Sequence, residues 1–176
     1  MIVMSFFPEH IIELSTAVLA AARARGLKIV TAESCTGGLI GAALTEIAGS
    51  SDVVDCGFTS YSYEAKVAQL GVDLPTLQQS GAVSGDIARQ MIRGALKGSN
   101  ADIAVSATGI AGPGGATPDK PVGLVYIGIG NKQNGHVESI KNLFSGDRSA
   151  VRMATVETAL TMLKAEIESL PAIQTA

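Results

Sequence analysis

Five short stretches of this chain carry hydroxyls, an amine or a guanidinium where apolar runs give way to turns. They are Thr31–Gly38 (TAESCTGG), Gly49–Ser51 (GSS), Thr59–Lys66 (TSYSYEAK), Thr108–Gly115 (TGIAGPGG) and Phe144–Arg148 (FSGDR). A serine hydroxyl is a weak nucleophile until a neighbouring base takes its proton. A lysine can be that base once burial lowers its pKa. The glycines of Thr108–Gly115, among them Gly109, Gly112 and Gly114, let backbone N–H groups approach an anion or a developing oxyanion. Arg148 opens a helix, where its charge opposes the helix dipole, and its planar fork suits a phosphate or carboxylate.

Each stretch also has a purely structural reading. Ser34 or Thr36 can cap the helix that follows, Gly49-Ser50-Ser51 can be an ordinary turn, Lys66 a solvated charge, and Arg148 a partner of Asp147. Other chemistry has less support. His10 and His136 stand far apart and unaccompanied, which argues against a histidine triad or a metal site. Cys35 reads as a packed thiol, and neither cysteine belongs to a CxxC pair. The glycine loop fits neither GxGxxG nor GxxxxGK[ST], so dinucleotide and P-loop readings are poor.

The elements that must hold these residues follow from periodicity. Apolar spacing predicts a helix over Glu9–Arg25 that ends before Gly26. A strand is expected at Leu27–Thr31, a helix from Gly37-Gly38 to about Ala48, and a strand at Val53–Tyr61. Helices follow at Tyr63–Leu70, Leu74–Gln79 and about Ser84–Leu96, then a strand at Ala101–Ala107. Two further strands, Pro121–Gly130 and His136–Phe144, flank Asn134-Gly135, a strong hairpin dipeptide. Asp147 caps a last helix that runs to about Leu170, before Pro171. This pattern predicts an α/β fold: one domain over 1–176, a mixed β-sheet covered by helices on both faces, an α/β/α sandwich. Open α/β sheets place ligand sites where strands end, which is where the polar stretches fall.

Composition narrows the class. With 47% hydrophobic and 16% charged residues in 176, the chain can bury a substantial core and is not a disordered type. A net charge of −3 and a pI near 5.3 give no reason to expect nucleic-acid binding. Met1–Pro8 lacks a basic start and does not read as a signal peptide. No apolar run approaches the roughly 20 residues of a membrane span. A soluble cytoplasmic protein without membrane partners is expected, and the apolar content favours a homo-oligomer.

The five stretches, with Gly81–Ser84 (GAVS) and Lys120–Gly123 (KPVG), together resemble the CinA C-terminal domain family, in order, from about Glu9 to Leu170. The family's stand-alone members include nicotinamide-nucleotide amidases, also called NMN deamidases. The resemblance implies hydrolysis of the carboxamide of nicotinamide mononucleotide to nicotinic acid mononucleotide and ammonia, within pyridine-nucleotide salvage. By motif position it implies Ser51 as nucleophile, Lys66 as general base and Tyr61 as an aid to proton transfer. Ser34 and Thr108 would contribute hydroxyls near the amide, and Arg148 would help hold the site or the substrate. This chemistry needs no metal and no cofactor. Sequence does not separate Ser51 from Ser50. Two other readings stay open: a catalytically silent nucleotide-binding or regulatory module, and an amidase for another small carboxamide.

Overall fold

From Glu9 to Arg25 the side chains of Ile11, Ser15, Val18, Leu19 and Ala22 recur at helical spacing and are buried, which makes this segment helix α1. Gly26 ends it at φ 69°, a left-handed position that glycine adopts without a Cβ penalty. The computed structural model describes residues 5–171. The Met1–Met4 part of the segment read as lacking a signal peptide lies outside them.

The strands are β1 (Ile29–Glu33), β2 (Val54–Thr59), β3 (Ile103–Gly109), β4 (Leu124–Asn131) and β5 (Val137–Leu143). They form one sheet in the order β2-β1-β3-β4-β5. β1 runs parallel to both β2 and β3, while β4 and β5 continue antiparallel. The remaining helices are α2 (Leu39–Thr45), α3 (Tyr63–Leu70), α4 (Leu74–Ser80), α5 (Gly85–Lys97) and α6 (Arg148–Ser169).

Alternation along the strands divides the core in two. Ile29, Ile103, Val105, Val125 and Ile127 pack with α1, α2 and α6 on one face. Val30, Ala32 and Ala104 pack with α4 and α5 and the end of α3 on the other. The expected α/β/α sandwich is therefore present. All five residues of β1 are buried, as expected of a strand with neighbours on both sides and helices on both faces.

Several boundaries differ from the sequence expectation. β1 starts and ends two residues later, because Lys28 donates through its amide to Asp102 before the ladder begins. α2 stops at Thr45, well short of Ala48. The chain must reverse through Gly49, at φ 80°, and a 3-10 turn at Ser50–Asp52 to enter β2.

From β1 the chain crosses to β2 over one face by way of α2, then reaches β3 on β1's other side by way of α3, α4 and α5 on the opposite face. The carboxyl end of β1 is thus a topological switch point, where crossovers diverge and leave a crevice.

Candidate active site

Ser34 follows β1 directly and stands at that switch point. Its amide donates to the Ala107 carbonyl (2.9 Å), which ties it to β3. Ser60, directly after β2, donates its amide to the Glu33 carbonyl (2.9 Å). The ends of three parallel strands therefore converge here.

Lys66 reaches this convergence from α3. Ser62 caps that helix by accepting from the Ala65 amide (3.0 Å), which fixes the first turn. The Lys66 side chain is fully buried, and its Nζ lies 2.9 Å from Ser34 Oγ and 2.6 Å from the Ser60 carbonyl oxygen. Among the described residues no carboxylate lies within ion-pair distance of it. Burial without a counter-charge penalises the ammonium, and its pKa falls from 10.5 to about 8. A lysine in hydrogen-bond contact with a serine and partly neutral near pH 8 is equipped to take the serine's proton.

The turn after Ser34 is tight and glycine-rich. Gly37 donates its amide to the Ser34 carbonyl, and Gly37 and Gly38 take φ of 63° and 99°. That conformation leaves the amides of Cys35 and Thr36 donating to no carbonyl among the described residues. The Glu33 carboxylate anchors the far side, accepting from the amides of Gly38 (3.1 Å), Ile40 (3.0 Å) and Gly41 (2.8 Å). It thereby satisfies the start of α2 in place of a conventional cap. Cys35 is buried, and desolvation pushes its thiol up to about 11, so it is the packed thiol that the sequence suggested.

The other expected residues distribute as follows. Ser51 is not beside Lys66. It sits in the 3-10 turn before β2, whereas Ser60 and Lys66 follow β2. Val54 and Thr59 are five residues apart along an extended strand, so the two ends are separated by roughly 16 Å. Arg23 holds the turn instead, donating to the Gly49 carbonyl (3.0 Å) and lying 3.7 Å from Asp52. The pairing expected of Ser51 with Lys66 is taken by Ser34. Ser50 and Ser51 line a groove of about 500 Å³ beside β2, together with Thr31, Asp55 and Gly57.

Tyr61 is largely exposed, and its hydroxyl accepts from Arg148 Nη2 (2.9 Å). Arg148 Nη1 donates to the Gly112 carbonyl (2.9 Å), so the guanidinium ties the glycine loop to Tyr61 and makes no ion pair with Asp147 among the described contacts. Asp147 caps α6 instead, accepting from the Ala150 amide. Beside Arg148 lies a cavity of about 330 Å³ lined by Ala111, Pro113, Val122 and Gly146–Ser149. Thr108 is buried and donates its hydroxyl to the Ala82 carbonyl (2.8 Å), which holds the α4–α5 connection. Gly109 packs so closely on β4 that a Cβ would lie 2.7 Å from the Leu124 oxygen, while Gly114 has open space around it.

Two contributors were not singled out from sequence. Glu33 left a signal: an acidic residue at the end of a buried strand just before a Gly-Gly helix start. The Ser60 carbonyl left none, because any residue type supplies a backbone oxygen.

Comparison with known proteins adds an independent line. The CinA C-terminal domain matches residues 11–167. The chain is 54% identical over 143 residues to a Caldicellulosiruptor saccharolyticus protein described as competence-damage inducible, covering 81% of this chain and 34% of that one. It is 49% identical over 158 residues to the nicotinamide-nucleotide amidohydrolase PncC of Enterobacter agglomerans, covering 89% and 96%. The chain thus spans about a third of the length of the first relatives it matches and nearly all of the latter. The crystal structure of the competence/damage inducible protein CihA from Agrobacterium tumefaciens superposes with a TM-score of 0.90 at 49% identity, covering 94% of this chain and 100% of that one.

Proposed function

The chain belongs to the CinA C-terminal domain family, and from that premise we propose that it is an amidohydrolase that converts nicotinamide mononucleotide to nicotinic acid mononucleotide and ammonia. The observation that carries the reading is the 2.9 Å contact between Ser34 Oγ and a buried Lys66 with no counter-charge among the described residues. The likeness to a stand-alone nicotinamide-nucleotide amidohydrolase supplies the substrate.

In the reactive state Lys66 is neutral and accepts the Ser34 proton, while the Ser60 carbonyl holds its amine in place. Ser34 Oγ bonds to the carboxamide carbon and the carbonyl oxygen becomes an oxyanion. The amides of Cys35 and Thr36, which donate to no carbonyl among the described residues, donate to that oxygen, and one such donor is typically worth about 3 kcal/mol. Lys66 returns its proton to the nitrogen, the C–N bond breaks, and ammonia leaves an acyl-enzyme. Water, deprotonated by the same lysine, cleaves the ester and restores Ser34. Arg148 lies beside the cavity next to the glycine loop and meets the nucleotide portion. Tyr61 orients that guanidinium.

Ammonia release from nicotinamide mononucleotide tests this reading. Ser34→Ala is expected to lower kcat by at least ~10³, in keeping with loss of a nucleophile. Ser51→Ala is expected to keep near-wild-type turnover. The reverse pattern would return the nucleophile to Ser51, and a folded wild-type chain that releases no ammonia would favour another carboxamide or a silent binding module.

A further inference from the structure

Arg152 lies one helical turn beyond Arg148 on α6 and sends its guanidinium to the opposite side of the Ser34 turn from Lys66. Its Nη2 donates to the Thr36 carbonyl oxygen (2.9 Å). A Cβ on Gly37 would lie 3.3 Å from the same nitrogen, so the guanidinium is packed against the turn itself. Among the described residues it has no carboxylate partner, and its Nε is buried without an acceptor. The hydroxyl of Thr36 is buried and unpartnered too.

Burying a guanidinium edge with neither counter-charge nor full hydrogen bonding is locally unfavourable. Sequences keep such groups mainly at functional sites. What it secures is the peptide plane after Thr36. With that carbonyl held toward α6, the Thr36–Gly37 peptide cannot rotate to point the oxygen outward, and this fixes the end of the short turn whose Cys35 and Thr36 amides donate to no carbonyl among the described residues.

We infer that Arg152 is a positioning residue for the oxyanion-binding turn: it acts through the Thr36 carbonyl and touches neither substrate nor Ser34. This rests on Ser34 being the nucleophile, so the test must read that separately. A fluorophosphonate probe does so without the nucleotide. Ser34 Oγ forms a bond to phosphorus, the P–F bond breaks, fluoride leaves, and the serine proton passes to Lys66. The phosphoryl oxygen then occupies the oxyanion position.

Labelling is followed by intact mass in wild type, Ser34→Ala, Arg152→Met and Arg152→Lys, with urea midpoints alongside. Wild type takes one label and Ser34→Ala takes none. Arg152→Met, with its urea midpoint close to wild type, labels at least about tenfold more slowly, a smaller loss than the ~10²–10³ of deleting a donor outright. Arg152→Lys recovers part of the rate. With nicotinamide mononucleotide the same loss falls on kcat and leaves KM unchanged. Wild-type labelling in Arg152→Met overturns the inference. So does a slow Arg152→Met whose midpoint has collapsed and which lysine does not rescue, because the arginine is then structural only. A wild type that takes no label overturns the Ser34 assignment itself, and the role of Arg152 falls with it.

Discussion

As the proposed base, Lys66 acts only when unprotonated, so on this proposal its burial sets the working pH. With its pKa lowered from 10.5 to about 8, kcat/KM is expected to climb with pH through about 8 and level off above. A profile already flat from pH 6.5 would remove lysine from the proton transfer. The same shift makes a stability prediction. Below pH 8 the lysine is protonated in folded and unfolded chains alike, and the cost of burying the ammonium is fully present. Between 8 and 10.5 the folded chain loses its proton first, so stability rises with pH across that window and is level beyond it. Relative to Lys66→Met, wild type should therefore gain on the order of 2 kcal/mol over that range. Urea melts of both proteins at the two ends of the window would measure it, and a constant difference would show that burial does not penalise the ammonium.

At the scale of elements, the position of Lys66 depends on how α3 lies against α5. Gly94 on α5 meets the end of α3 so closely that a Cβ would fall 1.9 Å from the Leu70 carbonyl oxygen. Gly94→Ala must push the helices apart or unwind the end of α3, and a loss of ~1–3 kcal/mol is expected. Reduced turnover should accompany it, because α3 carries the proposed base. An unchanged urea midpoint would mean that the helices slide freely. Much of this architecture was legible beforehand. Helical spacing in Glu9–Arg25, the β-branched run around Ile29, and Asn134-Gly135 each follow from local chemistry. The serine that meets Lys66 was not legible in that way. Ser51 is the nearer in sequence, but β2 lies between the two and carries the chain from one end of the sheet to the other. Ser34 is 32 residues from Lys66 and arrives through the neighbouring strand. Strand order is a long-range property, and no local pattern encodes it.

For the whole molecule, the candidate site and the fastening of the β4–β5 hairpin lie at opposite ends of the sheet. The candidate site occupies the carboxyl ends of β1, β2 and β3, and both helical layers reach it: Lys66 from one face, Arg152 from the other. At the opposite end, where Asn131 pairs with Ile103, the β4–β5 hairpin is pinned to the last turns of α6. There Glu166 accepts from Asn131 Nδ2 (2.6 Å) and meets His136 Nδ1 (2.8 Å). The hydrogen bond to Glu166 raises the His136 pKa above 6.5. Its contribution to stability is fully present below 6.5 and is lost as pH rises through the raised value. His136→Gln should therefore destabilise the chain by up to about 1 kcal/mol at pH 6 and less at pH 8, the imidazole being partly exposed. Activity should not change, since the pin lies at the far end from Ser34. A loss of turnover in that variant would show that the two ends communicate.

The exposed hairpin turn also offers a handle. Gln133 lies on the surface there, Cys35 is shielded by burial, and the half-buried Cys56 can be replaced by serine. A cysteine at position 133 would anchor the protein to a bead or electrode with the carboxyl ends of β1, β2 and β3 facing away from it, so immobilisation through this turn should leave substrate access open.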